Sequence, residues 1–542
     1  MNVAQLLVRC LENEGVRYVF GIPGEETLAL NAALAESDKL RFVLTRHEQG
    51  AAFMADVYGR LSSYPGVCLA TLGPGATNLL TGVADAHLDR APLVAITGQA
   101  GLERSYKESH QYIDIVRMFG PVTKWSTRIS TPDSTPEIVR KAFRLARLEK
   151  PGATHIELPE DVADEDVDMQ PLEVRRTSYP KAQDAVIGKA LELIHRAKTP
   201  VVLAGNGLAR RQAAGHASVE ALRRFVRRSG IPATHTYMAK GVLDPFSAQS
   251  LPPAGLQRPG VELANIPQLA EADLVIAVGY DLVEWSPSLW NPKRDKTVVH
   301  VDSTAAELDG HYQPSVEVVG ELDESLTELA ERVEERKDRP VRAVNKPLGT
   351  SMKDTPAPFP PSQVVAAVRE ALAPEDIVVS DVGAHKVWLS RLYPTPVPNT
   401  VVVSNGLASM GIAVPGAIAA KLVFPERKVI AFAGDGGFLM NVQELETAKR
   451  IGAAIVCMVL VDDRLGVIET NEKRIFGKTF ATEFGNPGFV ELARAFGIAG
   501  FAVPTARELF PILRRALDLG EPALVAVPWD HRANERIADK IA

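Results

Sequence analysis

The sequence predicts an α/β protein made of three consecutive domains, each with a mostly parallel sheet. Two observations lead to this prediction. Short runs of β-forming residues alternate with helical patterns along most of the chain, which is typical of parallel sheets covered by helices. The length of 542 residues also exceeds what one hydrophobic core usually serves, so three domains of roughly 150–200 residues each are expected.

The first domain is predicted over residues 1–165. Its strand candidates are RYVF, RFVLT, VCLATL and LVAIT, and helical patterns lie between them, from about Glu26, over Glu48–Arg60 and over Thr77–His87. This βαβα order indicates a parallel sheet with helices on both faces. Ligands of such sheets bind at the carboxyl ends of the strands, so the residues that follow each strand are the first candidates for a site.

Two stretches without regular periodicity separate the further domains. Asp164–Asp184 is polar and broken by proline, and Glu331–Ser362 is rich in charge and then in proline; both are typical of linkers. A central α/β domain is predicted over 185–335, with the strands TPVVLAG, IPATHTY, ADLVIAVG and TVVHVD. The third domain is predicted over 360–535, with the strands IVVSD, VIAFAGD, AIVCMVLVD and ALVAVP.

Composition and charge exclude several classes of function. With 46% hydrophobic and 23% charged residues and a formal net charge of −7, the chain resembles a globular protein and lacks the basic cluster of a nucleic-acid-binding surface. The longest apolar run, Ala453–Val461, is far shorter than the ~20 residues that span a bilayer, so no membrane partner is expected. Cys10, Cys68 and Cys457 lie far apart without CxxC spacing, which indicates reduced thiols and a cytoplasmic protein.

The strongest local signal is KVIAFAGDGGFLMNVQELETAKR, followed by AAIVCMVLVDD. A strand ends at GDGG, a helix follows, and the next strand ends at Asp462, 27 residues beyond Asp435. The two carboxylates would stand at the tips of neighbouring parallel strands. Glycines and a helix N-terminus suit a diphosphate there, and carboxylates suit Mg²⁺. The alternative for an isolated GDGG is a strand-end turn in which Asp435 caps the helix.

Two common nucleotide-binding motifs do not match this sequence. The third glycine of GxGxxG would fall on Leu439, so a Rossmann fingerprint is excluded. The GKT at Gly477–Thr479 is not a P-loop, because Glu472 stands at the position of the first glycine and no strand precedes it.

Together with the GDGG motif, two further segments contain candidate site residues. Glu48, in TRHEQGAAFMADVYGR, begins a helix before small and apolar residues, a setting that keeps a carboxyl poorly solvated and able to exchange a proton. By itself it would be an ordinary acid at a helix N-terminus. Met410, in SNGLASMGIAVPGAIAA, is a soft apolar side chain among small residues that let a planar ring approach. By itself it would be core filler.

GDG followed by an acidic or amide residue about 27 positions on resembles the cofactor motif of thiamine-diphosphate enzymes. The resemblance implies that family's fold, in which a pyrimidine-binding first domain and a diphosphate- and Mg²⁺-binding third domain flank a central domain. It also implies that Mg²⁺ is held by Asp435, by Asp462 in place of the usual Asn, and by the backbone carbonyl of Arg464. Asp462 keeps the oxygen donor that Mg²⁺ requires.

The same resemblance assigns roles in cofactor binding. Glu48 would hydrogen-bond N1′ of the aminopyrimidine and promote the imino tautomer that deprotonates C2 of the thiazolium. Met410 would wedge between the two cofactor rings, and the carbonyl of Ala408 would accept from the 4′-amino group. Further matches are FGIPGEE, LGPGATN and DVGAHKVW. The other residues expected to line the cofactor are Pro23, Gly73, Asn78, Gly383, His385, Gly434, Gly436 and Gly437.

Within that family, the order of motifs over residues 3–534 is similar to the acetolactate synthase group, with RHEQGAA, ESHQYID, TKW and PWDHRAN as additional matches. ESHQYID places Gln111 where this group has a catalytic-site Gln near the substrate. The resemblance implies that two pyruvates condense to 2-acetolactate with loss of CO₂, through a hydroxyethyl adduct of thiamine diphosphate. It also implies a homodimer or homotetramer with active sites at subunit interfaces.

Two departures favour the catabolic, FAD-independent branch of the group over the biosynthetic one. Where the biosynthetic branch has RFDDRVTG against FAD, this chain has GYDLVEWSP (Gly279–Pro287). Where that branch has a Trp that favours 2-ketobutyrate, this chain has Asn471. The TYMAKG segment, Thr236–Gly241, is less typical of the catabolic branch. FAD therefore stays open as a cofactor, although it is not favoured.

Three rival functions remain at this point. The first is a biosynthetic synthase with FAD and a regulatory subunit, and the second is another thiamine-diphosphate decarboxylase or oxidase of 2-oxo acids. The third, from a different class, is a catalytically inactive nucleotide-binding scaffold. The presence of Glu48, Met410 and Asp435 argues against the scaffold.

Overall fold

The computed structural model describes residues 1–175, 177–210, 216–255, 266–336 and 355–534. The chain divides into two compact units, and their borders do not follow the order of the sequence. The first unit consists of Met1–Thr177, Gly406–Glu426 and Met440–Ala453, and the second of Ser178–Asn405, Arg427–Leu439 and Ala454–Ala542.

The first stretch of the chain forms a parallel sheet of six strands in the order β2-β1-β3-β4-β6-β5. The strands are β1 (Tyr18–Gly21), β2 (Arg41–Leu44), β3 (Gly66–Ala70), β4 (Leu93–Gln99), β5 (Trp125–Arg128) and β6 (Ala153–Pro159). The helices are α1 (Val3–Asn13), α2 (Leu28–Ala35), α3 (Glu48–Ser62), α4 (Pro74–Leu88), α5 (Ile115–Phe119), α6 (Thr135–Arg147) and α7 (Glu160–Asp164).

The middle stretch forms a second parallel sheet, of five strands in the order β11-β10-β9-β7-β8. The strands are β7 (Pro200–Ala204), β8 (Ala233–His235), β9 (Leu274–Val278), β10 (Thr297–Asp302) and β11 (Val316–Val319). The helices are α8 (Asp184–Arg196), α9 (Ala217–Ser229), α10 (Pro267–Ala270), α11 (Pro287–Trp290) and α12 (Leu322–Arg332).

The last stretch forms a third parallel sheet, of six strands in the order β13-β12-β14-β15-β17-β16. The strands are β12 (Ile377–Ser380), β13 (Val401–Val403), β14 (Val429–Gly434), β15 (Val456–Val461), β16 (Ala499–Ala502) and β17 (Ala523–Pro528). The helices are α13 (Pro361–Ala371), α14 (Ala384–Leu392), α15 (Ala413–Val423), α16 (Asp435–Met440), α17 (Glu444–Ile451), α18 (Gly466–Phe476), α19 (Phe489–Ala495) and α20 (Ala506–Leu517).

The predicted α/β class with parallel sheets is confirmed, and the deviations lie at element ends. The helix predicted from Thr77 begins at Pro74, because proline fits the first turn of a helix. The helix predicted from about Glu26 begins at Leu28, after a single 3₁₀ turn. The described residues of the stretch Asp164–Asp184 that lie between α7 and α8 form neither helix nor strand. Within the stretch Glu331–Ser362, residues 337–354 lie outside the described residues.

Helix α3 is a central element of the first unit, where it packs against α4 and α15. It is buried on nearly every face, as expected for a helix that presents small or apolar side chains all round. A Cβ atom at Gly82 of α4 would lie 2.5 Å from the Cβ of Ala52, so the close approach of α3 and α4 requires glycine there. This packing fixes the position of Glu48, the first residue of α3.

A buried ion cluster reinforces the same region. The Arg60 guanidinium contacts Asp56 at 2.7 Å, Asp85 at 3.1 Å and Asp89 at 3.0 Å, and the three carboxylates are fully buried. Asp89 also accepts the backbone N–H of Gly406. Since Gly406 opens the segment 406–426 of the first unit, the cluster ties this segment to α3 and α4.

Replacement of Arg60 by Met is expected to lower the apparent Tm by on the order of 10 °C. The variant leaves three buried carboxylates without their cation; loss of one partner of a buried pair costs about 3–5 kcal/mol, and each kcal/mol shifts Tm by about 2–4 °C in a domain of this size. Arg175→Met is the matched control, because Arg175 is 82% exposed and its ion pair among the described residues is with exposed Glu173. Scanning calorimetry measures both; equal Tm values for the two variants would contradict the expectation.

Among the described residues, none of the helices combines the length and the apolar character that a bilayer crossing needs.

Candidate functional site

Five of the predicted site residues follow consecutive strands of the first unit. Pro23 follows β1, Glu48 follows β2, Gly73 and Asn78 follow β3, and Gln111 lies in the connection after β4. The four strands are neighbours in one parallel sheet, and the carboxyl ends of parallel strands meet at one edge. The structure therefore brings these residues to the same edge, as predicted.

Glu48 is only 9% exposed, and its carboxyl is held by Asn78. The Asn78 amide donates to its Oε2 at 2.9 Å. Gly75, in the first turn of α4, lies beside its Oε1: a Cβ atom there would be in ordinary van der Waals contact with this oxygen, at 3.5 Å. Asn78 was predicted to line the cofactor, and its direct contact is with Glu48. Glu48 is thus an oriented, poorly solvated carboxyl, which suits a group that exchanges one proton with a bound ligand.

Gly73 and Gln111 meet through their backbones. Gly73 has φ +49°, and a Cβ atom there would lie 2.7 Å from the carbonyl oxygen of Gln111. Glycine is therefore required at this turn, both by its left-handed conformation and by the close approach. Gln111 also has a positive φ, +59°, and its residue is exposed, so its amide is accessible at the sheet edge.

The segment that carries Ala408 and Met410 also belongs to the first unit. Ala408 adopts φ +55° and Gly411 φ +96°, and a non-glycine residue in the left-handed region stores about 1–3 kcal/mol, which is typical of functional sites. Asn441 donates to the carbonyl of Gly411 at 2.9 Å and to Oε1 of Gln49 at 3.2 Å. Met410 is half-buried, so part of its side chain stays open to a ligand, while Asn441 links the neighbouring Gly411 to the first turn of α3.

In the second unit, the other predicted residues follow three neighbouring strands. Gly383 and His385 follow β12, the GDGG of residues 434–437 ends β14, and Asp462 follows β15. Asp435 is 1% exposed. Its Oδ2 accepts the N–H groups of Asp462 and Asp463 at 3.1 and 2.8 Å. The carboxylate therefore joins the tips of β14 and β15, as the spacing predicted.

Burial and mutual repulsion both act on this pair of carboxyl groups. Burial, followed by the charge of Asp435, raises the pKa of Asp462 to about 8, and burial also raises the pKa of Asp435. Two carboxylates at adjacent strand tips repel each other, and a divalent cation with oxygen ligands would remove this repulsion. The donor set therefore fits Mg²⁺.

The third expected ligand, the backbone carbonyl of Arg464, lies two residues after Asp462. Arg464 and Glu483 form an antiparallel bridge in which the hydrogen bonds run from Leu465 to Thr482 and from Phe484 to Asp463. In such a non-hydrogen-bonded pair, the N–H and C=O of the central residue point away from the partner strand. The Arg464 carbonyl is thus not used by this ladder.

His385 is buried beside two glycines that follow β12 and end β14. It is 6% exposed, and burial lowers its pKa to about 3, so the imidazole is neutral. A Cβ atom at Gly383 would lie 2.9 Å from its ring, so glycine is needed there; at Gly434 the distance would be 3.3 Å, a tight contact. Its Nε2 has no hydrogen-bond partner among the described residues; because the other ring nitrogen donates to the backbone of Asp381, Nε2 of the neutral ring can only accept a hydrogen bond.

Several residues of the candidate site were not predicted from the sequence. Asn486 donates to Oδ2 of Asp435 at 2.8 Å and to Asp463 at 2.6 Å, yet it stands in an unpatterned loop, and no signal pointed to it. Asp381 packs against the backbone of Gly437, where a Cβ atom would lie 2.4 Å from its Oδ1. Asn441 follows GDGG within FLMNVQELETA, and this proximity was a usable signal.

Three family models match successive parts of the chain. They describe thiamine pyrophosphate enzymes: the N-terminal TPP binding domain over residues 1–118, the central domain over residues 187–329 and the C-terminal TPP binding domain over residues 381–527. The stretches matched by the N-terminal and C-terminal models contain the two groups of site residues described above.

Curated relatives match over nearly the full length. The chain is 35% identical to an acetolactate synthase of Bacillus subtilis, over 99% of this chain and 95% of that protein. It is 34% identical to a catabolic acetolactate synthase of Raoultella terrigena, over 98% and 95%. It is 31% identical to the large subunit of acetolactate synthase isozyme 1 of Escherichia coli, over 98% and 94%.

Proposed function

Because this chain belongs to the acetolactate synthases within the thiamine pyrophosphate enzymes, we propose that it joins two pyruvates into 2-acetolactate with release of CO₂. The observation that carries the proposal is the buried Glu48 carboxyl, held by Asn78 at the carboxyl edge of the first unit's sheet. An oriented carboxyl of this kind is what activation of the cofactor requires. Pyruvate serves as both donor and acceptor.

We assign cofactor contacts residue by residue. In the first unit, Glu48 holds and transfers the proton at N1′ of the aminopyrimidine, the Ala408 carbonyl accepts from the 4′-amino group, and Met410 supports the two rings. Gln111 is assigned to the substrate, because its exposed amide can donate to a carboxylate. The left-handed Ala408 and the half-buried Met410 support these roles. The other cofactor contacts assigned to the first unit are Pro23, Gly73 and Asn78.

In the second unit, Asp435, Asp462 and the Arg464 carbonyl are assigned to Mg²⁺. We place His385 beside the diphosphate because of its position after β12, and the glycines leave the diphosphate oxygens room to approach the backbone. When bound, thiamine diphosphate supplies the electron sink that lets the carboxylate of a 2-oxo acid leave as CO₂. The glycines assigned here are Gly383, Gly434, Gly436 and Gly437.

We further propose that the enzyme works without FAD. In the central sheet, Glu284 of GYDLVEWSP receives the N–H groups of Asn206 and Asp281 at 3.0 Å and the hydroxyl of Thr236. These donors lie after β7, β9 and β8, at the carboxyl edge of the sheet, where the phosphates of a bound dinucleotide would accept hydrogen bonds from them. An internal carboxylate already uses them and would repel a second anion.

The remaining assignments concern organisation. We propose domains over 1–165, 185–335 and 360–535; in support, each range holds one of the three sheets. We also propose a homodimer or homotetramer with active sites at subunit interfaces. Its support is the apolar surface of α18 and the loop after it, where Ile468, Ile475, Phe476 and Phe480 are exposed.

We place the enzyme in the cytoplasm, in line with three buried, free cysteines.

One incubation tests the activity and separates the rivals. Purified protein with pyruvate, Mg²⁺ and thiamine diphosphate should form acetolactate, and its absorption spectrum should lack a flavin band. Acetaldehyde or acetyl phosphate as the main product would replace the proposal by a decarboxylase or an oxidase. A stoichiometric flavin band would support the biosynthetic synthase with FAD instead. If pyruvate is not consumed at all, the protein is the catalytically inactive scaffold.

Asn471→Trp is expected to shift the acceptor preference toward 2-ketobutyrate. Asn471 is a half-buried residue of α18 and offers no apolar wall, so the wild type should discriminate little in favour of 2-ketobutyrate. An indole would contact the extra methyl group, and one methylene in a good pocket gives about 1–3 kcal/mol, so the product ratio should move by roughly 10-fold or more. Mass spectrometry of the products from equimolar pyruvate and 2-ketobutyrate measures this ratio.

Asn471→Gln is the matched control, since it keeps a polar side chain and should keep the wild-type ratio. A wild-type ratio that strongly favours acetohydroxybutyrate would overturn the catabolic assignment.

A further inference from the structure

Glu444 is a fully buried acid for which the sequence motifs suggest no role. It is the first residue of α17 and is 0% exposed. Its Oε1 accepts the backbone N–H groups of Arg46 and His47 at 3.0 and 3.1 Å. Its Oε2 accepts the hydroxyl of Thr447 at 2.6 Å. All these residues lie in the first unit.

The two N–H groups belong to the connection that presents Glu48. Strand β2 ends at Leu44 and α3 begins at Glu48, so Arg46 and His47 are the last residues before the helix. His47 caps α3 through its Nδ1, which accepts the N–H of Gln49 at 3.1 Å. The Glu444 carboxylate therefore fixes the backbone directly ahead of Glu48 and complements the helix N-terminus, where negative charge is favourable.

Gly50 gives an independent indication of the same contact. It lies in the first turn of α3, where glycine is less favourable than alanine by about 1 kcal/mol. A Cβ atom at this position would lie 2.7 Å from Oε1 of Glu444. Glycine is thus accounted for by the close approach of the carboxylate, and any larger residue would displace it.

Burial of the Glu444 carboxyl is energetically unfavourable. Desolvation raises the pKa of Glu444 to about 7, so the folded protein holds a group that would be more stable in water. An apolar side chain could fill this volume without that cost, but it could not accept the two N–H groups.

We infer that Glu444 is a positioning residue for Glu48: by holding the Arg46–His47 backbone, its carboxylate sets the place from which the Glu48 carboxyl reaches the cofactor. The inference rests on the role proposed for Glu48. Glu444 itself contacts the Arg46–His47 backbone and Thr447, and acts on the reaction only through the start of α3. A misplacement of about 1 Å can cost on the order of 10²-fold in rate, so even a small shift of this junction is measurable.

The test compares three variants by the rate of hydrogen–deuterium exchange at C2 of bound thiamine diphosphate, read by NMR after acid quench. Glu444→Ala removes the acceptor and should slow exchange by about 10-fold or more. Glu444→Gln keeps an oxygen for the two N–H groups, and its amide can donate to the Thr447 oxygen, so it should stay within about 3-fold of the wild type. Gly50→Ala should slow exchange like Glu444→Ala, although alanine favours the helix.

Two further measurements separate positioning from loss of stability. Titration calorimetry should show thiamine diphosphate affinity within about 3-fold of the wild type in all three variants, because Glu444 is not assigned to the cofactor. Leu222→Ala is the control for destabilisation. Leu222 is fully buried in α9, so its truncation lowers stability by about 2–5 kcal/mol and should leave exchange unchanged.

The outcomes are distinct from those for the proposed function. Wild-type exchange in Glu444→Ala would overturn the inference, and so would exchange in Glu444→Gln as slow as in Glu444→Ala. If Glu444→Ala does not fold, Gly50→Ala decides in the same way. If the wild type exchanges C2 quickly but forms no acetolactate, the proposed product is wrong and the positioning role still stands.

Discussion

Glu48→Gln is expected to slow proton exchange at C2 of bound thiamine diphosphate by at least about 10²-fold, the usual loss when a general acid–base group is removed. Gln keeps the shape of the side chain and an oxygen that can accept from Asn78, which donates to Glu48 at 2.9 Å. It lacks the ionisable group that exchanges a proton with N1′. Cofactor affinity, measured by titration calorimetry, should therefore change little while exchange and acetolactate formation fall together.

Glu26→Gln provides the matched control for this experiment. Glu26 is another acid at the same edge of the first unit's sheet, and it accepts the hydroxyl of Thr71 at 2.7 Å. Removal of its charge should leave C2 exchange at the wild-type rate. Exchange at the wild-type rate in Glu48→Gln as well would show that Glu48 does not activate the cofactor.

The fold was predictable because parallel sheets leave a strong pattern in sequence. Buried strands such as VIAFAG and VCMVLV are continuous apolar runs, as expected when both faces of a strand are covered. The strand-end position of Asp435 and Asp462 followed from the length of one strand–helix–strand unit. The division into two compact units was not predictable, because it depends on where α15 and α17 pack and not on their order in the chain.

Buried polar contacts between distant parts of the chain were harder to predict than the strand-end positions. Asn486 and Glu284 both lie in loops and act through contacts over long sequence separations, with Asp435 and with Asn206 and Thr236. Periodicity does not report such contacts, and an isolated Asn or Glu in a loop is normally a surface residue. Glycines were more informative: Gly50 and Gly437 each mark a place where a carboxylate approaches the backbone.

Asp435→Ala is expected to weaken Mg²⁺ and thiamine diphosphate binding together, each by more than about 100-fold. Changes to the residues that merely support a metal ligand already cost 10–100-fold in metal affinity, and Asp435 is assigned as a ligand. The two affinities should fall in parallel because Mg²⁺ in such sites is held jointly by carboxylates and by the phosphates of the ligand. Titration calorimetry of each component in the presence of the other measures both.

Alanine at 435 also removes the acceptor for the N–H groups of Asp462 and Asp463 and for the Asn486 amide, so a second variant is needed to isolate the effect of charge. Asp435→Asn keeps an oxygen for these donors and loses only the charge, and it should weaken Mg²⁺ binding less than alanine does. Asp463→Asn is the matched control: it removes a neighbouring charge, and asparagine tolerates the left-handed conformation of this residue, φ +58°. It should retain wild-type affinity. If thiamine diphosphate binds Asp435→Ala as tightly as the wild type without added metal, the metal site lies elsewhere.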